Sequence, residues 1–331
     1  MKLAFFSTKP YEKQFFEKIN LKYNHKITFF DMRLTAEIIS LVEGYPAVCV
    51  FVNDILDKSL LEKLFENGVK LVVLRSAGFN NVDIKAAQEL GMAVVRVPAY
   101  SPYAVAEHSL ALILTLNRKI HKAYNRIRDD NYSLEGLIGF DIHGKTIGIF
   151  GTGKIGKTFA KIMSGFGCRI IAYDLHESKE CLDLGVEYVS YNELFAASDI
   201  ISLHCPLTPE TYHLINQERL AMMKDGVMLI NTSRGGLIDT PEVVNALKSG
   251  KIGYLGLDVY EEEADIFFEN LSGKILQDDV LARLLTFQNV IVTSHQAFFT
   301  ENAMNNIAET TLENISRFEH NQPVNLVLPK L

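Results

Sequence analysis

Three stretches of this chain set reactive side chains directly behind short apolar runs. Gly226-Val-Met-Leu-Ile-Asn231 leads into Thr232-Ser-Arg234-Gly-Gly236, Gly256-Leu-Asp258-Val-Tyr260 into Glu261-Glu-Glu263, and Val290-Ile-Val-Thr-Ser294 into His295. Read as parallel strands, these runs deliver a guanidinium, an acidic cluster and an imidazole to the carboxyl ends of the strands, where such sheets bind ligands. A guanidinium can grip a carboxylate bidentately and still aim an N–H at an adjacent carbonyl. An imidazole titrates near neutrality and can therefore give or take a proton at working pH. A carboxylate beside it favours the imidazolium, and periodicity does not choose among Glu261, Glu262 and Glu263. Together these groups suit hydride transfer to a carbonyl, whose developing alkoxide needs a proton donor. His108, His204 and His213 show no such convergence and read as capping or packing residues.

Hydride transfer needs a carrier, and the middle of the chain has the stretch to hold one. Gly151-Thr-Gly153-Lys-Ile-Gly156 follows the apolar run Thr146–Phe150 and opens a helical pattern. In such a turn the first glycine makes the bend, the second lets backbone amides approach a pyrophosphate, and the third lets the helix pack on the strand. Arg169–Tyr173 reads as the next strand. Asp174 closes it at about the 20-residue spacing of an acid that accepts from the ribose hydroxyls. A carboxylate there repels the extra phosphate of NADP, so the expected cofactor is NAD.

The elements that must position these groups alternate from end to end. Strands are predicted at 2–6, 26–30, 47–52, 70–75 and 93–97, with helices near 11–23, 36–43, 59–67 and 83–90. Gly44, Gly68 and Gly91 fall where left-handed helix ends belong. Ser101 to about Asn125 reads as one long helix connecting two domains. Further strands follow at 146–150, 169–173, 200–204, 227–232, 254–259 and 290–294, then a helix at 300–318. The fold class is α/β, with two doubly wound parallel sheets. The first is flavodoxin-like and lacks the glycine fingerprint. If the last helix crosses back, the nucleotide domain (101–296) is inserted into a substrate domain made of 1–100 and 297–331.

Composition sets limits. The 331 residues are 48% hydrophobic and 22% charged, enough for two cores, with a net charge of −7 and scattered basic residues. No electrostatic footprint for nucleic acid or an anionic membrane results. The first apolar run is too short for a signal peptide and none approaches a bilayer span, so a cytoplasmic protein is expected. Cys49, Cys168, Cys181 and Cys205 form no CxxC pairs, and no metal site is expected.

The motifs Gly148–Gly156, Asp174, His204-Cys-Pro-Leu-Thr-Pro209, Asn231–Gly236, Leu257–Glu261 and Ser294-His-Gln-Ala297 together resemble the D-isomer-specific 2-hydroxyacid dehydrogenases over almost the whole chain. The resemblance implies a catalytic Arg234–Glu263–His295 set, the glutamate being the one five residues after Asp258. It implies that Lys154, Ile155, Cys205, Pro206, Thr232, Ser233 and Asp258 join Gly151, Gly153, Gly156 and Asp174 around the NAD, Asp258 as a support near the nicotinamide. Arg75-Ser-Ala-Gly78-Phe-Asn-Asn-Val-Asp83, Val97–Pro102, Ala106-Glu-His108 and His295–Phe299 are most similar to the D-lactate dehydrogenase branch of that family, fermentative bacterial type. From that branch come amides near Ala77 and Gly78 for the substrate carboxylate, and Phe51, Tyr100 and Phe298 around a small methyl pocket. Pyruvate and D-lactate are the implied substrates, and a homodimer or homotetramer the implied assembly. Larger 2-oxo acids, hydroxypyruvate, and an NAD-sensing corepressor-like module stay open as alternatives. Formate dehydrogenase is disfavoured, because the carboxylate partner there is typically glutamine.

Overall fold

The computed structural model describes residues 1–263, 266–322 and 324–328 and falls into two compact units, Met1–Ser101 with Phe299–Leu331, and Pro102–Phe298. In the first, β1 (Lys2–Phe5), β2 (Lys26–Phe29), β3 (Ala47–Val50), β4 (Leu71–Leu74) and β5 (Ala93–Val95) form a parallel sheet in the order β2-β1-β3-β4-β5, the flavodoxin order. Its central strands are buried along their whole length, which is why Ala47-Val-Cys-Val50 and Leu71-Val-Val-Leu74 are continuous apolar runs rather than alternating ones. Helix Glu301–Glu319 packs on helix Pro10–Asn20 and on β4. Val95 forms an antiparallel bridge with Leu326, so the chain beyond that helix covers the outer edge of β5. Residues 36–42, expected as an α-helix, form a 3-10 segment kinked at Ile38.

The second unit carries β6 (Thr146–Phe150), β7 (Arg169–Tyr173), β8 (Glu187–Tyr188), β9 (Ile200–Leu203), β10 (Val227–Asn231), β11 (Ile252–Leu257) and β12 (Val290–Val292), ordered β12-β11-β10-β9-β6-β7-β8 and all parallel. The pleat sends successive side chains to opposite faces. Ile147 and Ile149 of β6 with Met228 and Ile230 of β10 build one core; Ile201 and Leu203 of β9 with Val227 and Leu229 of β10 build the other. Burying each such side chain is worth about 1.5–3 kcal/mol. Strands β7 and β8 are added on one side of β6 and β9 to β12 on the other, and this switch between β6 and β9 brings the glycine turn after β6 beside His204 and Cys205 after β9.

The long helix expected over 101–125 is two helices, Pro102–Arg118 and Ile120–Arg128, broken at Lys119, whose φ is +50°. The break comes from a distant segment. The Asn117 side chain donates to the Phe140 carbonyl at 2.7 Å and accepts its amide at 2.8 Å, and Lys119 Nζ donates to the Ile138 carbonyl. The first of the two is not a bare connector: Ala106, Leu112, Ile113 and Leu116 are buried in the second unit's core. No helix among the described residues is long and apolar enough to cross a membrane.

Candidate active site

The glycine turn is built as a cradle. Gly151 leaves β6 with φ +96°, and a Cβ added there would lie 2.8 Å from the Cys205 nitrogen. A Cβ on Gly156 would lie 1.9 Å from the Gly151 carbonyl oxygen, so only glycine lets the helix sit this close to the turn. Gly153 differs, since a Cβ there meets no atom within 4 Å among the described residues. Asp57, Asp239 and Asp278 cap their helices with side-chain oxygens, whereas helix Lys154–Ser164 starts at Gly153 without a side-chain cap. Open space in front of uncapped amides fits a pyrophosphate. Lys154 is exposed and Ile155 half-buried at the head of this helix.

Asp174 stands one residue beyond β7. Its Oδ2 accepts the Thr152 amide at 2.6 Å and the Thr152 hydroxyl at 3.2 Å, and its Oδ1 accepts the His176 amide at 3.0 Å. The carboxylate is thereby fixed to the glycine turn, with Oδ1 holding a lone pair for a ribose hydroxyl. These residues fit an adenine dinucleotide.

Arg234, Glu263 and His295 leave the ends of three adjacent strands, β10, β11 and β12. The Arg234 loop is clamped by Asn231, which donates to the Arg234 carbonyl at 2.8 Å and accepts the Ser233 amide at 3.0 Å. Ser233 Oγ donates to the Cys205 carbonyl at 2.6 Å, and Arg234 Nη1 to the Ser233 carbonyl at 2.7 Å. A Cβ on Gly235 would lie 2.1 Å from the Tyr260 carbonyl, so this loop lies directly on the turn that carries Glu263. Of the three candidate glutamates, Glu263 meets the histidine: Oε1 is 2.8 Å from His295 Nδ1, and Oε2 accepts the Tyr260 amide at 2.9 Å. Glu262 is exposed, and Glu261 binds His213 at 2.6 Å instead. Phe268 lies beside the imidazole, ring centroids 5.7 Å apart.

His295 has φ +54°, a strained conformation for a residue with a side chain, costing of order 1–3 kcal/mol. Asp258 holds it there. The Asp258 carbonyl accepts the His295 amide at 2.7 Å, Oδ1 accepts the Gln296 amide at 2.9 Å, and Oδ2 the Ala297 amide at 2.8 Å. Asp258 is fully buried. Burial disfavours its charge, but hydrogen bonds from His108, Thr293 and the Ala297 amide outweigh this and hold its carboxyl below the usual range. His108 and Asn231 stand in the resemblance motifs without a role, and Thr293 has none in the sequence; their contacts give them one here.

Other expected residues are distributed as follows. Cys205 and Thr232 are buried and Pro206 exposed, beyond β9 and β10. Burial pushes the Cys205 thiol up to about 12, which makes it inert. Thr232 shares a hydrogen bond of 2.8 Å with Ser109. Phe51, Ala77, Gly78 and Tyr100 belong to the first unit. Phe51 is buried against the Arg75 guanidinium, 4.7 Å from its ring centroid, and the Ala77 carbonyl accepts from Arg96 at 2.7 Å. Phe298 is the last residue of the second unit.

The profile of the D-isomer specific 2-hydroxyacid dehydrogenase NAD binding domain matches residues 110–297. The chain belongs to the D-isomer-specific 2-hydroxyacid dehydrogenase family. It is an NAD-dependent enzyme fold, and its second unit contains the family's NAD-binding domain. This dehydrogenase is 54% identical over 319 residues to the D-lactate dehydrogenase of Escherichia coli, covering 96% of this chain and 97% of that one. It is 55% identical over 330 residues to a 2-hydroxyacid dehydrogenase homolog of Haemophilus influenzae, covering 99% and 100%. Its fold is similar to the apo-structure of the Escherichia coli D-lactate dehydrogenase, with a TM-score of 0.91, 50% identity and coverage of 99% and 100%. It is also similar to the D-lactate dehydrogenase of Lactobacillus jensenii with NAD+, with a TM-score of 0.84 and 31% identity over the full length of both.

Proposed function

We propose that this dehydrogenase interconverts pyruvate and D-lactate with NADH and NAD+. The observation that carries the reading is the imidazole of His295 bonded through Nδ1 to Glu263, on a turn packed against the Arg234 loop. Bound NADH supplies the hydride, and NAD+ accepts it in reverse. Arg234 binds the substrate carboxylate bidentately and directs a further N–H at the carbonyl. Because Nδ1 faces Glu263, Nε2 is the nitrogen that delivers a proton to the new alkoxide and withdraws it in lactate oxidation. Glu263 keeps the ring oriented and stabilises its charged form. Asp174 receives the adenosine ribose and, with the glycine turn, holds the cofactor; Asp258 serves as support for the His295 turn.

For the substrate side we assign amides near Ala77 and Gly78 to the carboxylate and Phe51, Tyr100 and Phe298 to the methyl group, by resemblance to the lactate-forming branch. The first unit is then the substrate domain. A pocket of this kind separates substrates differing by one methylene by only about 1–3 kcal/mol, so hydroxypyruvate and longer 2-oxo acids are the competing substrates. Ile120, Tyr124 and Ile127 are exposed on a helix with no buried residue, which supports a homodimer or homotetramer.

The test is loss of NADH absorbance with pyruvate, hydroxypyruvate and 2-oxobutyrate in parallel, with chiral analysis of the product. Highest kcat/KM on pyruvate with D-lactate formed is the expected result. A higher kcat/KM on a larger 2-oxo acid overturns the substrate assignment, and no turnover on any of them overturns the enzymatic reading.

A further inference from the structure

We propose that His108 is a positioning residue for the His295 turn, acting through Thr293 and Asp258, an inference that rests on the assignment of His295 as the proton donor. His108 lies on helix Pro102–Arg118, far in sequence from that turn. Its Nε2 is 3.1 Å from Thr293 Oγ1 and 3.4 Å from Asp258 Oδ1. Both neighbours are oxygens, and the Asp258 carboxylate can only accept, so the arrangement calls for a proton on Nε2.

The Thr293 hydroxyl has two acceptors within reach, Asp258 Oδ1 at 2.5 Å and the Leu257 carbonyl at 3.4 Å. His108 Nε2, 3.1 Å from Oγ1 and 3.4 Å from Asp258 Oδ1, closes a triangle with these two oxygens and occupies a lone pair of the hydroxyl. With His108 Nε2–H donating to Oγ1, the hydroxyl proton is turned toward Asp258. Asp258 Oδ1 then has Thr293 and His108 beside the Gln296 amide, while Oδ2 takes the Ala297 amide, and Asp258 is the single residue on which the amides of His295, Gln296 and Ala297 all end. Those three bonds fix the backbone that gives His295 its left-handed φ and points Nδ1 at Glu263.

Without the imidazole, Thr293 is free to turn to Leu257. Asp258 Oδ1 would then be left with the Gln296 amide alone, and a donor lost from a buried carboxylate costs more than an unmade surface bond. The three amides would loosen together. A histidine that merely fills space on its helix would be replaceable by leucine.

The experiment compares His108→Leu, which keeps bulk and removes the donor, with His108→Gln, whose Nε2 can reach the same two oxygens. Amide hydrogen exchange over 293–298 is measured beside kcat, KM for pyruvate and NADH affinity. In His108→Leu, exchange of the three amides should rise and kcat fall, each by about tenfold or more, as expected for a lost bond to a charged group. KM and NADH affinity should change far less, and His108→Gln should recover most of both losses. Unchanged exchange in His108→Leu, or a glutamine variant no better than the leucine one, overturns the proposal. If His108→Leu is recovered unfolded, Thr293→Val removes the bridging hydroxyl and is read by the same outcomes. Exchange needs no turnover, so a wild-type chain inactive on pyruvate would sink the substrate reading while leaving this comparison decisive.

Discussion

Glu263 binds His295 and its own turn at once: Oε1 is 2.8 Å from His295 Nδ1, while Oε2 accepts the Tyr260 amide at 2.9 Å. Glu263→Gln preserves the shape and the bond to Tyr260 but removes the charge that pairs with an imidazolium. Pyruvate reduction should fall by about tenfold or more while NADH affinity is kept, the scale of a lost bond to a charged group. His295→Ala should keep NADH affinity and lose about 10²–10⁴-fold in turnover, the usual worth of side-chain acid catalysis. Wild-type turnover in Glu263→Gln, or full activity in His295→Ala, would remove the pair from the mechanism.

Gly235 sets the spacing between the Arg234 loop and the Glu263 turn, because a Cβ there would lie 2.1 Å from the Tyr260 carbonyl. Neither backbone can yield without moving Arg234 or Glu263. Gly235→Ala should therefore lower kcat/KM for pyruvate by about 10²-fold, the scale of a 1 Å misplacement of a reacting group. Cofactor affinity should fall far less, because the glycine turn and Asp174 lie outside this loop and only Thr232 and Ser233 within it belong to the NAD set. Steady-state kinetics beside NADH titration separates the two effects, and equal losses in both would point to general disruption instead.

What the sequence discloses depends on how local its cause is. The central strands of both sheets were legible because parallel strands buried on both faces are near-continuous apolar runs, as in Ala47–Val50, Leu71–Leu74 and Ile200–Leu203, and the strand ends at Asp174, Arg234 and His295 were read from such runs. The acidic run was legible only as a cluster. Choosing Glu263 needed either resemblance or the observed bond to His295, since Glu261 turns to His213 a residue pair away. The break at Lys119 has no glycine or proline to announce it and arises from Asn117 meeting Phe140. The two-residue strand β8 is too short for a pattern. His108 and Thr293 come from separate elements and meet only because helix Pro102–Arg118 packs on the sheet, so no spacing could pair them with Asp258.

Asp174 has two duties in the structure, holding the Thr152 amide at 2.6 Å and presenting a carboxylate beside the glycine turn. Asp174→Ala should weaken NADH binding, because the Thr152 amide loses its partner, and should weaken NADPH binding less, because the repelling charge has gone. The preference for NADH should shrink by about tenfold or more, equivalent to about 1.4 kcal/mol. Dissociation constants for both cofactors decide it, and an unchanged ratio would mean that Asp174 only braces the turn.

His204 lies under the glycine turn, its Nε2 2.9 Å from Ser202 Oγ and its ring 5.0 Å from that of Phe159. Burial pushes its pKa down from 6.5 to about 3, so the folded chain keeps it neutral. The folded value lies below the unfolded one, so between these limits the unfolded chain binds more protons and stability falls as pH drops. Between about pH 7 and pH 5 this one group should cost about 2 kcal/mol of stability. His204→Gln keeps a polar atom toward Ser202 but cannot take up that proton. Calorimetric midpoints at the two pH values should therefore separate less in His204→Gln than in wild type. An equal separation in both would mean that the imidazole is protonated within the fold, and the wedge beneath Gly151 and Gly156 would then be a charged one.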